Sequence, residues 1–192
     1  MGRLINYAAA LGALAALASI TACGSSGVVR ALDDRPNAGP CPTAGAIYEA
    51  ARIIEFSDER ESFRNIAYSG EITGVRLFCR YVEDEPLLAE VEIDFAFGKG
   101  PKGESRTHEY PYFVAVTRRN SRVLNRQNFL VTADFRSGQI ATAQELVNRV
   151  VIPRVDETIS GANFEVLVGF DLTEQQLAFN QAGKRFRLDA GG

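Results

Sequence analysis

The sequence predicts an all-β fold: an antiparallel β-sandwich, with an immunoglobulin-like arrangement as its candidate topology and a short C-terminal helical turn. Three observations predict it. Leu87, Ala89, Val91, Ile93, Phe95 and Phe97 alternate with Glu90, Glu92 and Asp94, the period of two of a strand with one buried face and one wet face. The same alternation returns at Tyr112, Val114 and Val116, at Phe129, Val131, Ala133 and Phe135, and at Phe164, Val166, Val168 and Phe170. Turn residues separate these segments and little helical periodicity lies between them, which favours a sandwich.

Taken in order, residues 45–56 fit a helix and a strand equally well. Ile66, Tyr68 and Ile72 keep one parity, and Val75, Leu77, Cys79 and Tyr81 keep the other. The switch falls at Gly74, where a bulge or a break between two strands is expected. Glu83-Asp84-Glu85-Pro86 then turns the chain, which makes residues 75–97 a hairpin. Arg119-Asn120 marks the next turn. A short helix is expected over residues 142–148, and residues 150–155 read as an edge strand because they contain Pro153. Thr173 and Gln176 have the spacing of a capping box, so a helical turn should run through Asn180.

The N-terminus has a different character. Arg3 precedes residues 7–20, an Ala- and Leu-rich run too short to span a bilayer but of the right length for the apolar region of a secretory signal peptide. Ile20-Thr21-Ala22-Cys23 resembles the lipobox of bacterial lipoproteins: an aliphatic residue, two small ones and the cysteine. That resemblance implies cleavage before Cys23, acylation of Cys23, and partnership with a lipid bilayer through its acyl chains. Several chains on one residue give stable anchoring. The expected organisation is therefore a signal peptide at 1–22, a lipidated flexible linker at 23–40, the sandwich at 41–180 and a flexible tail at 181–192. The Gly-, Ser-, Asp- and Pro-containing linker would span about 20 to 25 Å as a flexible coil.

Loss of Arg3 with the leader leaves 20 basic against 24 acidic groups, a net charge of −4. That balance argues against nucleic acid as a partner. Cys41 and Cys79 remain as an even pair in an exported chain, and a disulfide between them is expected, with two buried thiols as the alternative.

No nucleophile elbow or phosphate-binding loop is present, and one histidine gives no metal set, so neither enzyme activity nor a cofactor is expected. His108, in a segment rich in glycine and charge, reads as a surface residue. Gly98-Lys99-Gly100-Pro101-Lys102-Gly103 reads as a mobile hairpin loop; its alternative is an anion-contacting loop using Lys99, Lys102 and Arg106. Asp58, Glu59 and Glu61, with Arg60 among them, read as a solvated turn. Arg118, Arg119, Arg122 and Arg126 cluster around one hairpin tip. They are either gatekeepers that stop an edge from pairing with other chains, or a patch for an acidic partner or lipid head group. Phe170, Leu172, Leu177 and Phe179 either close the bottom of the sandwich or form a docking patch.

Cys41-Pro42, Cys79-Arg80-Tyr81, FGKGP at 97–101, YFVAV at 112–116 and VLVGFDLTEQQLAFN at 166–180 resemble a group of uncharacterised lipoproteins of alphaproteobacteria. The resemblance implies an exported lipoprotein and carries no mechanism. The expectation is a non-enzymatic interaction or accessory module of an envelope protein complex. Gly24 after the cysteine, in place of Asp, fits sorting to the outer membrane, periplasmic face, with the inner membrane as the alternative. The competing reading is a carrier of a small apolar or anionic ligand, and the third a hydrolase with an unrecognised carboxylate pair.

Overall fold

Among the described residues, the alternating segments form eight strands in two four-stranded sheets, one ordered β1-β8-β5-β6 and the other β2-β3-β4-β7. These are β1 (Thr43–Ala46), β2 (Arg52–Phe56), β3 (Ile66–Arg80), β4 (Leu87–Lys99), β5 (Thr107–Arg118), β6 (Val123–Asp134), β7 (Ile140–Ile152) and β8 (Phe164–Phe170), followed by the helix α1 (Glu174–Gln181). The computed structural model describes residues 39–81, 86–119, 122–155 and 158–185. Cys23, the leader, most of the linker, the acidic residues Glu83, Asp84 and Glu85, and Asn120 lie outside the described residues.

Burial follows the predicted parity. Leu87, Ala89, Val91, Ile93, Phe95 and Phe97 are each no more than 2% exposed. They meet Tyr110, Tyr112 and Phe170 of the other sheet, with Phe95 5.2 Å from Tyr112 and Phe97 4.4 Å from Tyr110 between ring centroids. Aromatic pairs at such separations add to the stabilisation from burial alone. Residues 75–97 form the expected hairpin. At Gly74 the strand is bulged and unbroken: the β3–β4 register shifts between Ile72 and Gly74. A Cβ at Gly74 would meet Asp94 Oδ2 at 2.8 Å, so glycine suits the site.

The structure changes four expectations. The strand order is not that of an immunoglobulin domain, whose sheets are ABED and CFG. Here the second, third and fourth strands follow one another within one sheet, because β3 and β4, of 15 and 13 residues, stay joined as a hairpin. The sandwich is also not wholly antiparallel, since β1 pairs with β8 in parallel. The helix expected at 142–148 is strand β7, which runs on into the segment expected as an edge strand at 150–155, is itself an edge strand, and ends just before Pro153. Its ladder on β4 steps from Val147 opposite Val91 to Val150 opposite Ala89, leaving Asn148 and Arg149 against Glu90 in a bulge, with Arg149 at φ 63°. The bulge reverses the parity of buried residues, and the Ala, Gln, Glu and Leu before it are good helix formers. Finally, residues 181–185, expected in the tail, begin with the last residue of α1 and continue to Lys184, which pairs with Glu61. Residues 45–56 divide into β1, a 3-10 turn at Tyr48–Ala50, and β2.

The ladders define two ends. Thr43, Glu165, Thr117 and Val123 form one row across β1, β8, β5 and β6. That near end also holds the end of β3 and the start of β4. The far end holds the start of β5, the end of β4 and α1.

The capping box forms at α1: Thr173 Oγ1 accepts from Gln176 N at 3.3 Å and Gln176 Oε1 accepts from Thr173 N at 2.8 Å. The helix lies along β2, an edge strand. Gln176 Nε2 donates to Ile54 O at 3.3 Å, and Asn180 Nδ2 donates to Arg52 O at 2.8 Å and Glu49 O at 2.7 Å. Phe179 packs with Ile54 and Ile66 in a second small core. Phe170 and Phe179 are therefore buried, Leu172 packs against the main core, and Leu177 is 37% exposed, which fits a closing role for the last motif.

Candidate interaction surface

The chain is fastened where it comes into the near end of the sandwich. Cys41 and Cys79 form a disulfide with Cα atoms 5.7 Å apart. Tyr81 Oη donates to Pro40 O at 2.8 Å and accepts from Gly161 N at 2.8 Å. A Cβ at Gly161 would sit 2.7 Å from both Pro40 O and Tyr81 Oη, so only glycine leaves room for this clasp. The guanidinium of Arg154, a buried residue, lies 5.0 Å from the centre of the Tyr81 ring. The motifs Cys41-Pro42 and Cys79-Arg80-Tyr81 thus meet in one structural device.

The arginine cluster divides. Arg118, Arg119 and Arg122 sit together at the β5–β6 tip, where Arg118 N donates to Arg122 O at 3.2 Å and Arg119 N to Asn163 O at 2.9 Å. Arg119 Nε lies 3.7 Å from Glu165 Oε1. The side chains of Arg118 and Arg122 are exposed, and neither makes an ion pair with a described residue. Arg126 is drawn away from the tip. It lies opposite Ala115 on the outer face, pairs with Asp171 at 2.8 Å and covers the Phe113 ring at 4.0 Å. Strand periodicity separates what sequence proximity had grouped.

The glycine-rich loop is at the far end and is packed. Gly100 N donates to Ala67 O at 2.9 Å and Lys102 N to Ile66 O at 3.0 Å. A Cβ at Gly100 would lie 2.3 Å from Ile66 O, and one at Gly103 would lie 2.6 Å from Ala67 O. These glycines permit close backbone approach, which accounts for the loop without mobility. Lys99 Nζ sits 6.0 Å from the centre of the Phe135 ring, while Lys102 and Arg106 are exposed.

His108 is in β5, half-buried, and its ring stacks 3.9 Å from that of Tyr68. Its Nε2 lies 3.0 Å from Glu55 Oε2, joining the two sheets at the far end. This corrects the surface reading. The signal was present: His108 has the parity of Tyr110 and Tyr112. In the acidic segment, Arg60 binds Asp58 at 2.6 Å and holds its carboxyl below the usual range, chiefly by side-chain hydrogen bonding.

Two open clefts flank α1 at the far end. One, of about 380 Å³, lies between Ile54, Phe56 and Phe179, with Glu55, Glu59 and Gln175 around it. The other, of about 500 Å³, runs over Ser69, Ala96 and Gly98 beside Ile140, with Arg52 and Lys184 opposite. No protein-family model, curated protein or solved structure matches the chain.

Proposed function

We propose that this chain is an envelope lipoprotein, acylated at Cys23 and held on the periplasmic face of the outer membrane, whose sandwich is a non-enzymatic interaction or accessory assembly module. The observation that carries this reading is the fastening of the near end. The segment leading from Cys23 reaches the sandwich at Pro40 and Cys41, and the disulfide passes any pull on it directly to β3, a long strand paired on β4. Without that bond the pull would fall on β1, a strand of four residues. The opposite end, with α1 and its clefts, then faces away from the bilayer towards partners.

Photo-crosslinking in cells tests this. Crosslinkers at the exposed far-end positions Gln175 and Ile140 should capture a defined envelope protein. A small molecule co-purifying with the chain, with no protein adduct from either position, would instead support the carrier reading.

A further inference from the structure

We infer that the β5–β6 tip is a second, weak contact with the membrane, in which Arg118 and Arg122 meet anionic phospholipid head groups. The inference rests on the proposed anchoring at Cys23.

Register places the tip at the end of the sandwich where the chain comes into β1. Thr43, two residues after the disulfide-bonded Cys41, shares its row with Glu165, Thr117 and Val123. Strands in a sheet are about 4.8 Å apart, so the chain comes into the domain about 10 Å from β5 and about 14 Å from β6. A linker spanning about 20 to 25 Å keeps this end within reach of the surface that holds Cys23. The far end is a strand length further away.

The side chains at the tip suit such a surface. Arg118 and Arg122 are free of ion pairs to described residues, whereas Arg119 faces Glu165 and Arg126 is bound by Asp171. Val123, next to Arg122, is 60% exposed, and Val155, one residue after the arginine over the Tyr81 ring, is 89% exposed. Exposed cations with nearby apolar side chains match the boundary between head groups and acyl chains.

The contact must be weak. Two arginines, each worth about 1 kcal/mol near an anionic leaflet, would hold a free domain poorly. A tether changes this, because it makes the encounter intramolecular at an effective concentration in the roughly millimolar range. Each basic residue near an anionic leaflet is worth about fivefold in binding, so replacing both should lower the docked-to-undocked ratio roughly twenty-five-fold.

The chain has no tryptophan, so a single one reports its own surroundings. The mature chain carrying Val123→Trp is coupled chemically through Cys23 to maleimide lipid in vesicles with brominated acyl chains. On phosphatidylglycerol-containing vesicles its fluorescence should shift to the blue and be quenched. The effect should fade on phosphatidylcholine alone, in high salt, and when Arg118→Gln and Arg122→Gln are added; Ile140→Trp at the far end should stay unquenched. An unquenched Val123→Trp on every vesicle would overturn the inference, as would quenching indifferent to the arginines. Arginine-dependent binding of polyglutamate without quenching would assign the tip to an acidic protein instead. Chemical coupling keeps this result separate from native acylation, so failure here leaves the proposed anchor standing and failure of that anchor leaves the vesicle result intact.

Discussion

The side-chain amide of Asn180 donates to the main-chain oxygen of Arg52 at 2.8 Å, across 128 residues of sequence. Together with Gln176 it satisfies carbonyls on the open side of β2, an edge strand that would otherwise offer them to another chain. Asn180→Ala removes two hydrogen bonds, each worth about 1 kcal/mol net. Its Tm should therefore fall by several degrees, and Gln176→Ala combined with it should aggregate more readily. Unchanged melting and light scattering in the double variant would show that the helix does not protect this edge.

Glycine substitutions should separate packed from open positions. Gly100→Ala forces a Cβ to within 2.3 Å of Ile66 O, whereas Gly138→Ala meets nothing within 4 Å. Backbone displacement of that kind is expected to cost more than about 2 kcal/mol. Urea titration should show the first variant clearly destabilised and the second near wild type. Equal stability of the two would mean that the loop after β4 yields freely.

The Cys41–Cys79 bond closes a separation of 38 residues. On the chain-entropy model that contributes about 4 kcal/mol. Reduction, or Cys41→Ser with Cys79→Ser, should lower Tm markedly, and thiol labelling of the denatured, unreduced mature domain should find neither cysteine free. A reduced protein melting at the same temperature would contradict this estimate.

Stability should fall in alkali because of two buried tyrosines. Desolvation raises the Tyr110 and Tyr112 hydroxyls far above their ordinary value, with Glu55 adding to the effect at Tyr110 and Glu145 at Tyr112. In the unfolded chain both titrate near about 10, so above that pH the unfolded state loses protons that the folded state keeps. The contribution is complete below about pH 10 and declines as pH rises towards the folded values. Urea midpoints across this range should fall steeply for wild type and less steeply for Tyr110→Phe with Tyr112→Phe. Identical slopes would assign alkaline unfolding to other groups.

Local pattern revealed more of this fold than of its assembly. The alternation from Leu87 to Phe97 marked β4, and the parity switch at Gly74 marked a bulge, because both depend on which side chains face the core. A second bulge at Asn148 and Arg149 had the opposite effect: it broke alternation among helix-forming residues and hid β7. The parallel pairing of β1 with β8 brings the first and last strands of the domain together, and no local signal records it. The capping box at Thr173 was legible, whereas its use in sealing β2 depends on Asn180 reaching residues far back in the chain. Charge misled twice. The charges around His108 outweighed a parity that placed it beside Tyr110, and proximity grouped Arg126 with a tip from which strand geometry removes it.

The anchor is tested most directly by the fate of Cys23. Membrane fractionation with intact-mass measurement, on wild type and Cys23→Ser expressed in their native envelope, reads both attachment and processing. Acylation at Cys23 predicts wild type in the membrane fraction, cut before Cys23 and heavier by its acyl groups, with the variant released from the membrane. A Cys23→Ser chain that remains membrane-bound, or a wild-type chain that carries no lipid, would contradict it.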